Sequence, residues 1–120
     1  MNLIAAICSH LNCKPEDLQD LLFKEEIRAN VEKFIQPKYL QTNYLRIPRF
    51  VNMDRLSKRC TSKNVYARGG YDVVDYFRIR HKIILNYPDL PVIVEHKNLD
   101  RIFYPLECLE FKETKLENIF

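Results

Sequence analysis

An α+β domain is the fold class this sequence predicts, on three observations. The N-terminal third carries apolar residues at helical spacing, the remainder breaks into short apolar and aromatic runs, and one helical pattern is embedded among those runs. Helices first and many short strands after, with a single inserted helix, read as helices packed on a small barrel or rolled sheet. A chain of 120 residues is long enough for one core and too short for two.

Taken in order, Leu3 to Leu11 is an apolar run of good helix formers and predicts a first helix. Pro15 suits the first turn of the next helix, where its missing N–H costs nothing. Leu18, Leu21, Leu22, Ile27, Val31, Phe34 and Ile35 then recur at helical spacing up to Pro37, with room for a break near Phe23-Lys24. From Tyr39 the pattern changes to short strands in which aromatics and Arg mix. The only two glycines fall in Arg68-Gly69-Gly70 and predict a turn. Asp72 is a natural N-cap, with Asp75 three residues on, for a short helix through His81. Lys82 to Tyr87 is expected as a strand, Pro88-Asp89 as a turn and Pro91 to Glu95 as a strand. After the polar turn HKNLD, strands follow over Arg101 to Tyr104 and Leu106 to Phe111, punctuated by Pro105, before a frayed tail.

With 47% hydrophobic and 29% charged residues, the composition is that of a globular chain. No apolar run approaches the ~20 residues a bilayer span needs. The start, MNLIAAICSH, has no basic n-region, so a secretory signal is not expected. Four cysteines without such a signal point to free thiols in a reducing compartment, cytoplasmic and/or nuclear. Charge is unevenly spread. Lys38 to Lys82 hold eleven Lys or Arg against three Asp, a balance of +8, while the rest of the chain sums to −5. Such a block is either an electrostatic footprint for a phosphate-bearing partner or a solvated basic face.

Catalytic patterns are missing. There is no glycine-rich phosphate loop and no G-x-S-x-G elbow. Cys8-Ser9-His10-Leu11-Asn12-Cys13 is the one cluster with metal-ligand chemistry. On a continuous helix its two sulfurs would lie on different faces, and no second ligand pair follows, so neither a metal nor another cofactor is expected. His10, His81 and His96 are scattered, and no enzyme activity is expected. In Asp75-Tyr76-Phe77-Arg78-Ile79-Arg80-His81-Lys82, helical geometry puts Tyr76 and Arg80 on one face, and Val73 and Phe77 on another. A Tyr hydroxyl, a guanidinium and an imidazole on one surface suit a phosphodiester. The alternative is a half-buried Tyr beside a solvated Arg.

These motifs also occur together in a known family. Tyr76-Phe77, the Arg80-His81 pair one turn on, Tyr87-Pro88-Asp89-Leu90-Pro91 and Tyr104-Pro105-Leu106-Glu107 resemble, in order and spacing, the second half of a PAZ domain of the Argonaute type. The N-terminal part is similar to the helical lead-in of such domains. The resemblance implies an OB-like small β-barrel with N-terminal helices and an inserted β-hairpin and helix. On it the chain divides into a lead-in over 1–37, a barrel over 38–111 with its insert at about 55–82, and a tail over 112–120. It also implies a non-catalytic module holding the 3′ end of a single-stranded small guide RNA beside the other domains of an Argonaute-like protein.

By resemblance, Tyr76, Arg80 and His81 would contact the phosphate between the terminal nucleotides, and Tyr104 would pack on the terminal ribose. His81 stands where the family usually has Tyr. In TNYLRIPRFVNMDRLS two registers compete. One makes Tyr44 the first phosphate ligand and Arg49-Phe50 the next pair; the other aligns Leu45-Arg46-Ile47 with the family's Tyr-Arg-Ile run. The first preserves the Thr-x-Tyr pattern. For the aromatic that stacks the terminal base, Val65 and Tyr66 are nearest, and Tyr66 is the better candidate. A degenerate cleft, serving a structural or protein-interaction role, is the alternative function.

Thiol titration of the denatured protein, purified without reductant, is expected to find Cys8, Cys13, Cys60 and Cys108 all free, and elemental analysis no stoichiometric zinc.

Overall fold

The computed structural model describes residues 1–66 and 69–112. Helices α1 (Leu3–Leu11), α2 (Leu18–Phe23) and α3 (Glu25–Ile35) lead into strands β1 (Tyr39–Thr42), β2 (Phe50–Val51) and β3 (Arg55–Cys60). Helix α4 (Val73–His81) follows, then β4 (Pro91–Lys97), β5 (Asp100–Pro105) and β6 (Leu109–Lys112). The strands form two antiparallel three-stranded sheets, ordered β2-β1-β6 and β3-β4-β5.

Among the described residues no ladder joins the two sheets, so the expected barrel is not closed. The chain changes sheet at the Pro-Leu-Glu motif: Pro105 has no N–H and Leu106–Cys108 form a 3₁₀ turn, so the stretch expected as one strand from Leu106 leads out of β5 in the second sheet and becomes strand only at β6 in the first. The expected tail, apart from Lys112, lies outside the described residues, as does Arg68 of the predicted turn.

The helical calculation from spacing holds for α1, whose Asn2 side chain caps the Ile4 N–H at 2.9 Å. The long second pattern does break, at Lys24, where the backbone is extended. The buried Arg28 guanidinium donates to the Leu22 and Phe23 carbonyls at 3.0 and 2.8 Å, satisfying the end of α2. The two N-terminal thiols correct the sequence reading. Helix α1 stops at Leu11, Asn12 is left-handed (φ 54°), and the Cys13 N–H returns to the Cys8 carbonyl at 3.0 Å. Cys13 therefore folds back beside Cys8, whose thiol is pushed up to about 11 by burial first and then by Cys13. Among the described residues no group of three or more His, Cys, Asp or Glu could hold a metal ion. No described helix is long and apolar enough to cross a membrane.

The larger core collects α1, α2, α3, the first sheet and one face of the second around Leu3, Ile7, Leu18, Leu22, Val31 and Ile93. A smaller one holds Val73, Phe77, Leu85, Val92, Val94, Phe103 and Cys108 under α4. Tyr44 packs against both. Between β3 and β4 the register shifts after Leu56. There the buried Ser57 hydroxyl accepts from the Val92 N–H at 2.9 Å and donates to the Arg59 carbonyl at 2.6 Å, replacing lost ladder bonds.

The segment after α4 is not the expected core strand. Lys82 turns left-handed (φ 59°), Ile84 is 81% exposed, and only Leu85 is buried. Its backbone donors bond a side chain rather than a neighbouring strand: Glu107 accepts from the Asn86 and Tyr87 N–H groups at 3.0 and 2.9 Å. The Glu107 carbonyl also accepts from Asn2 Nδ2 and Asn43 Nδ2, at 3.1 and 3.0 Å. Hydrogen bonds to a charged acceptor contribute about 1.5–3 kcal/mol each, and these are partly solvated. Glu107→Ala is therefore expected to lower unfolding free energy by about 2–3 kcal/mol, read as a lower denaturant midpoint at unchanged slope.

Candidate nucleic-acid interface

The side chains expected to act together sit on an arm and on the sheet it faces. The arm starts at Asn64, whose side-chain amide donates to the Arg59 and Cys60 carbonyls, both at 2.9 Å. Val65 bridges Asp72, and the turn between them uses Gly69 and Gly70 at φ 85° and 70°, a region open to glycine. Asp72 then caps α4 as expected, accepting from the Asp75 N–H at 2.9 Å. Val73 and Phe77 are fully buried, so the remaining face of α4 carries Tyr76 and His81 toward β5.

A cleft of about 510 Å³ separates the arm from β5. Six of the eight expected residues line it: Tyr44, Arg49, Tyr66, Tyr76, His81 and Tyr104. His81 is the hub, with its ring centroid 4.8 Å from Tyr44, 5.1 Å from Phe77 and 5.7 Å from Tyr76. The Tyr44 and Tyr76 hydroxyls have no hydrogen-bond partner among the described residues. Tyr66 is held to the wall: its hydroxyl donates to the Phe103 carbonyl at 3.1 Å, and its ring lies 4.4 Å from that of Tyr76. Tyr104 is only 2% exposed, and its hydroxyl donates to Glu95 at 3.2 Å. Phe50 and Arg80 fall outside the lining. Phe50 is exposed on β2 and packs on Tyr39, while Arg80 is exposed in the last turn of α4.

Burial shapes the titration of this group. It raises the Tyr44 and Tyr66 hydroxyls far above their usual range, and burial with the Glu95 charge pushes Tyr104 up to about 12. His81 is lowered by burial first and by Arg80 second, so it is a neutral imidazole at pH 7. Neither nearby carboxylate serves His81 as an acid/base partner: Asp72 caps the helix and Asp75 pairs with Arg78 at 3.2 Å. The cleft thus offers protonated hydroxyls, an imidazole N–H and the Arg49 guanidinium against aromatic walls. That set has the chemistry to suit an anion with an apolar flank.

Sequence reasoning missed the contribution of the β4–β5 hairpin. Leu99, at its tip and fully exposed, and Arg101, on β5, also line the cleft. Arg101 could have been found from strand alternation, since it shares a face with Phe103. Leu99 carries no such signal.

A sequence search among curated proteins finds no match. Among solved structures, a Drosophila Argonaute PAZ domain in complex with 3′-end 2′-O-methylated RNA is 20% identical, with a TM-score of 0.75 over 91% of this chain and 95% of that one. The Drosophila Argonaute 2 PAZ domain, in a study of 3′-end recognition of nucleic acids, is 19% identical with a TM-score of 0.72, covering 94% of each chain. A further structure of that Argonaute 2 domain gives 18% and 0.71, over 92% of this chain and 97% of that one. At these identities the likeness is one of fold. The family model described as the PAZ domain, however, matches residues 10–118, and by that span the chain belongs to the PAZ domain family.

Proposed function

We propose that this PAZ domain anchors the 3′ end of a single-stranded small guide RNA, as a non-catalytic module of an intracellular Argonaute-type protein. The observation that carries the reading is the convergence of Tyr44, Tyr76, His81 and Tyr104 on one open cleft. A degenerate module would have no reason to keep two unpartnered hydroxyls beside an imidazole and a guanidinium. The RNA complex of one solved relative, and the 3′-end recognition of nucleic acids described for another, support the same reading.

In this reading the terminal phosphodiester takes the Tyr44 and Tyr76 hydroxyls and the His81 N–H, with Arg49 neutralising charge. Arg80 adds positive potential from outside the lining, close enough to depress His81. Tyr104 and Tyr66 present ring edges to the terminal sugar and base, a sequence-tolerant contact because every base has a π-face. We assign residues 1–37 to the helical lead-in and 38–111 to an OB-like body. The insert falls within about 55–82, and the tail is 112–120.

Tyr76→Phe keeps the ring and deletes the hydroxyl. Loss of a bond to a charged acceptor, about 1.5–3 kcal/mol, is expected to weaken binding of a two-nucleotide 3′ overhang roughly ten- to a hundredfold at unchanged melting temperature. Val73→Ala is expected to do the reverse, lowering stability by about 2 kcal/mol and sparing affinity per folded molecule. Tyr76→Phe binding as tightly as the parent would favour the interaction-module alternative.

The depressed His81 gives a pH test with two signs. The folded protein resists protonating it, so His81 contributes stability above its ordinary value of 6.5 that is lost as pH falls toward its lower folded value. Phosphate favours the imidazolium, so RNA affinity is expected to rise over the same fall in pH. His81→Gln is expected to flatten the affinity profile in fluorescence titrations; a profile unchanged by that substitution would remove His81 from the site.

A further inference from the structure

The cluster Cys8-Ser9-His10-Leu11-Asn12-Cys13 stands out in the sequence, and the cleft makes no use of it: none of residues 8–13 is among the described residues lining it. Helix α1 ends there in a turn closed by two backbone bonds. The Cys13 N–H donates to the Cys8 carbonyl at 3.0 Å and the Asn12 N–H to the Ser9 carbonyl at 3.4 Å, around the left-handed Asn12. In a helix end of this kind the side chains flanking the outer bond meet, ordinarily as an apolar contact. Here both are thiols. Cys8 is buried in the larger core, and Cys13 packs against that core while staying half-buried. The other two cysteines have different surroundings: Cys60 Sγ lies 3.3 Å from Ser62 Oγ, and Cys108 is buried in the smaller core.

We propose that Cys8 and Cys13 form a thiol–disulfide site, which small disulfides of the glutathione type convert reversibly into an intramolecular disulfide without rearranging the backbone. The hydrogen bond between the two residues' own backbone groups already holds them at a spacing a disulfide spans. Cys13, the more accessible, reacts first. Its thiolate attacks the small disulfide, forms a mixed disulfide and releases one small thiolate. The Cys8 thiolate then attacks the Cys13 sulfur and releases the second. Two protein thiols are oxidised, one small disulfide is reduced to two thiols, and the protons lost from Cys8 and Cys13 end on those thiols. Cys8 suits the second step only. Burial first, then Cys13 and the Asp17 and Glu16 carboxylates, hold it protonated, so it is a poor nucleophile toward anything in solution. Against a mixed disulfide on its own neighbour the attack is intramolecular, which offsets that handicap. Both thiols accordingly stay free until a disulfide oxidant is supplied. The other end of α1 is already held, through Asn2 Nδ2 on the Glu107 carbonyl at 3.1 Å, so the crosslink fastens the end that is otherwise free to fray. The site is independent of the 3′-end reading.

The test incubates the whole chain with mixtures of reduced and oxidised glutathione, quenches in acid, alkylates the remaining thiols and maps the cysteines by mass spectrometry. As the oxidised share rises, Cys8 and Cys13 are expected to become linked with the loss of two hydrogens, while Cys60 and Cys108 remain open to alkylation after denaturation. Dithiothreitol is expected to restore both thiols. The linked form is expected to outnumber the Cys13 mixed disulfide by roughly tenfold or more, because the second step is intramolecular. Cys13→Ser is expected to abolish the link, and Cys13→Ala replaces it should the first variant not fold by circular dichroism. The oxidised parent is expected to keep its helical signal and to melt at a higher temperature than the reduced one. A Cys13–glutathione adduct that accumulates beside a free Cys8 overturns the proposal. So does a link made through Cys60 or Cys108, or a Cys8–Cys13 link that costs helical signal or lowers the melting temperature.

Discussion

The side chain and carbonyl of Glu107 hold three separate pieces of this chain in register. Its carboxylate closes the irregular segment after α4 through the N–H groups of Asn86 and Tyr87, and its carbonyl ties down Asn2 before α1 and Asn43 after β1. Asn43 immediately precedes Tyr44, and the Asn86 segment is what returns the chain from His81 to β4. Both sides of the cleft are thus positioned by one residue that never enters it. The Tyr87-to-Pro91 turn and the Pro-Leu-Glu motif are distant in sequence but form a single hydrogen-bonded device.

The chemistry of the cleft depends on what burial does to its polar groups. Phenols packed among rings stay protonated and can only donate or share a lone pair, while His81 stays uncharged until a ligand makes the charge worthwhile. The neutral imidazole avoids adding a further cation beside Arg80, and Arg49 is the permanent positive charge acting on the Tyr44 hydroxyl. An anion entering it meets donors already oriented by packing, which limits the ordering cost of binding.

Local signals in the sequence carried much of this architecture. Helix α1, the break at Lys24, the Asp72 cap, the glycine turn and the β4–β5 pairing all follow from spacing, caps and turn residues within a few positions of each other. The misread parts depend on distant partners. Lys82 to Tyr87 has the composition of a strand, yet its donors are taken by a carboxylate twenty residues away in sequence. Cys13 was placed on the wrong side of Cys8 because a left-handed Asn12 ends the helix. Closure of a barrel was expected from strand count, but Pro105 and the turn after it are where the chain changes sheet. At the site, helical phase paired Tyr76 with Arg80, whereas the structure lines the cleft with Tyr76 and His81. The same reasoning could not foresee that Arg80 turns to solvent or that Tyr66 is latched to the Phe103 carbonyl.

Among the described residues Tyr44 is the one aromatic ring packed against both cores, and the core beneath the arm is much the smaller. With so few buried side chains, the seat of Val73, Phe77 and Leu85 is expected to open at a lower free energy than the helical body. A ligand held between Tyr44 and α4 in the open cleft is expected to leave faster when that packing loosens, so the residues beneath α4, remote from any ligand atom, bear on release as well as on stability.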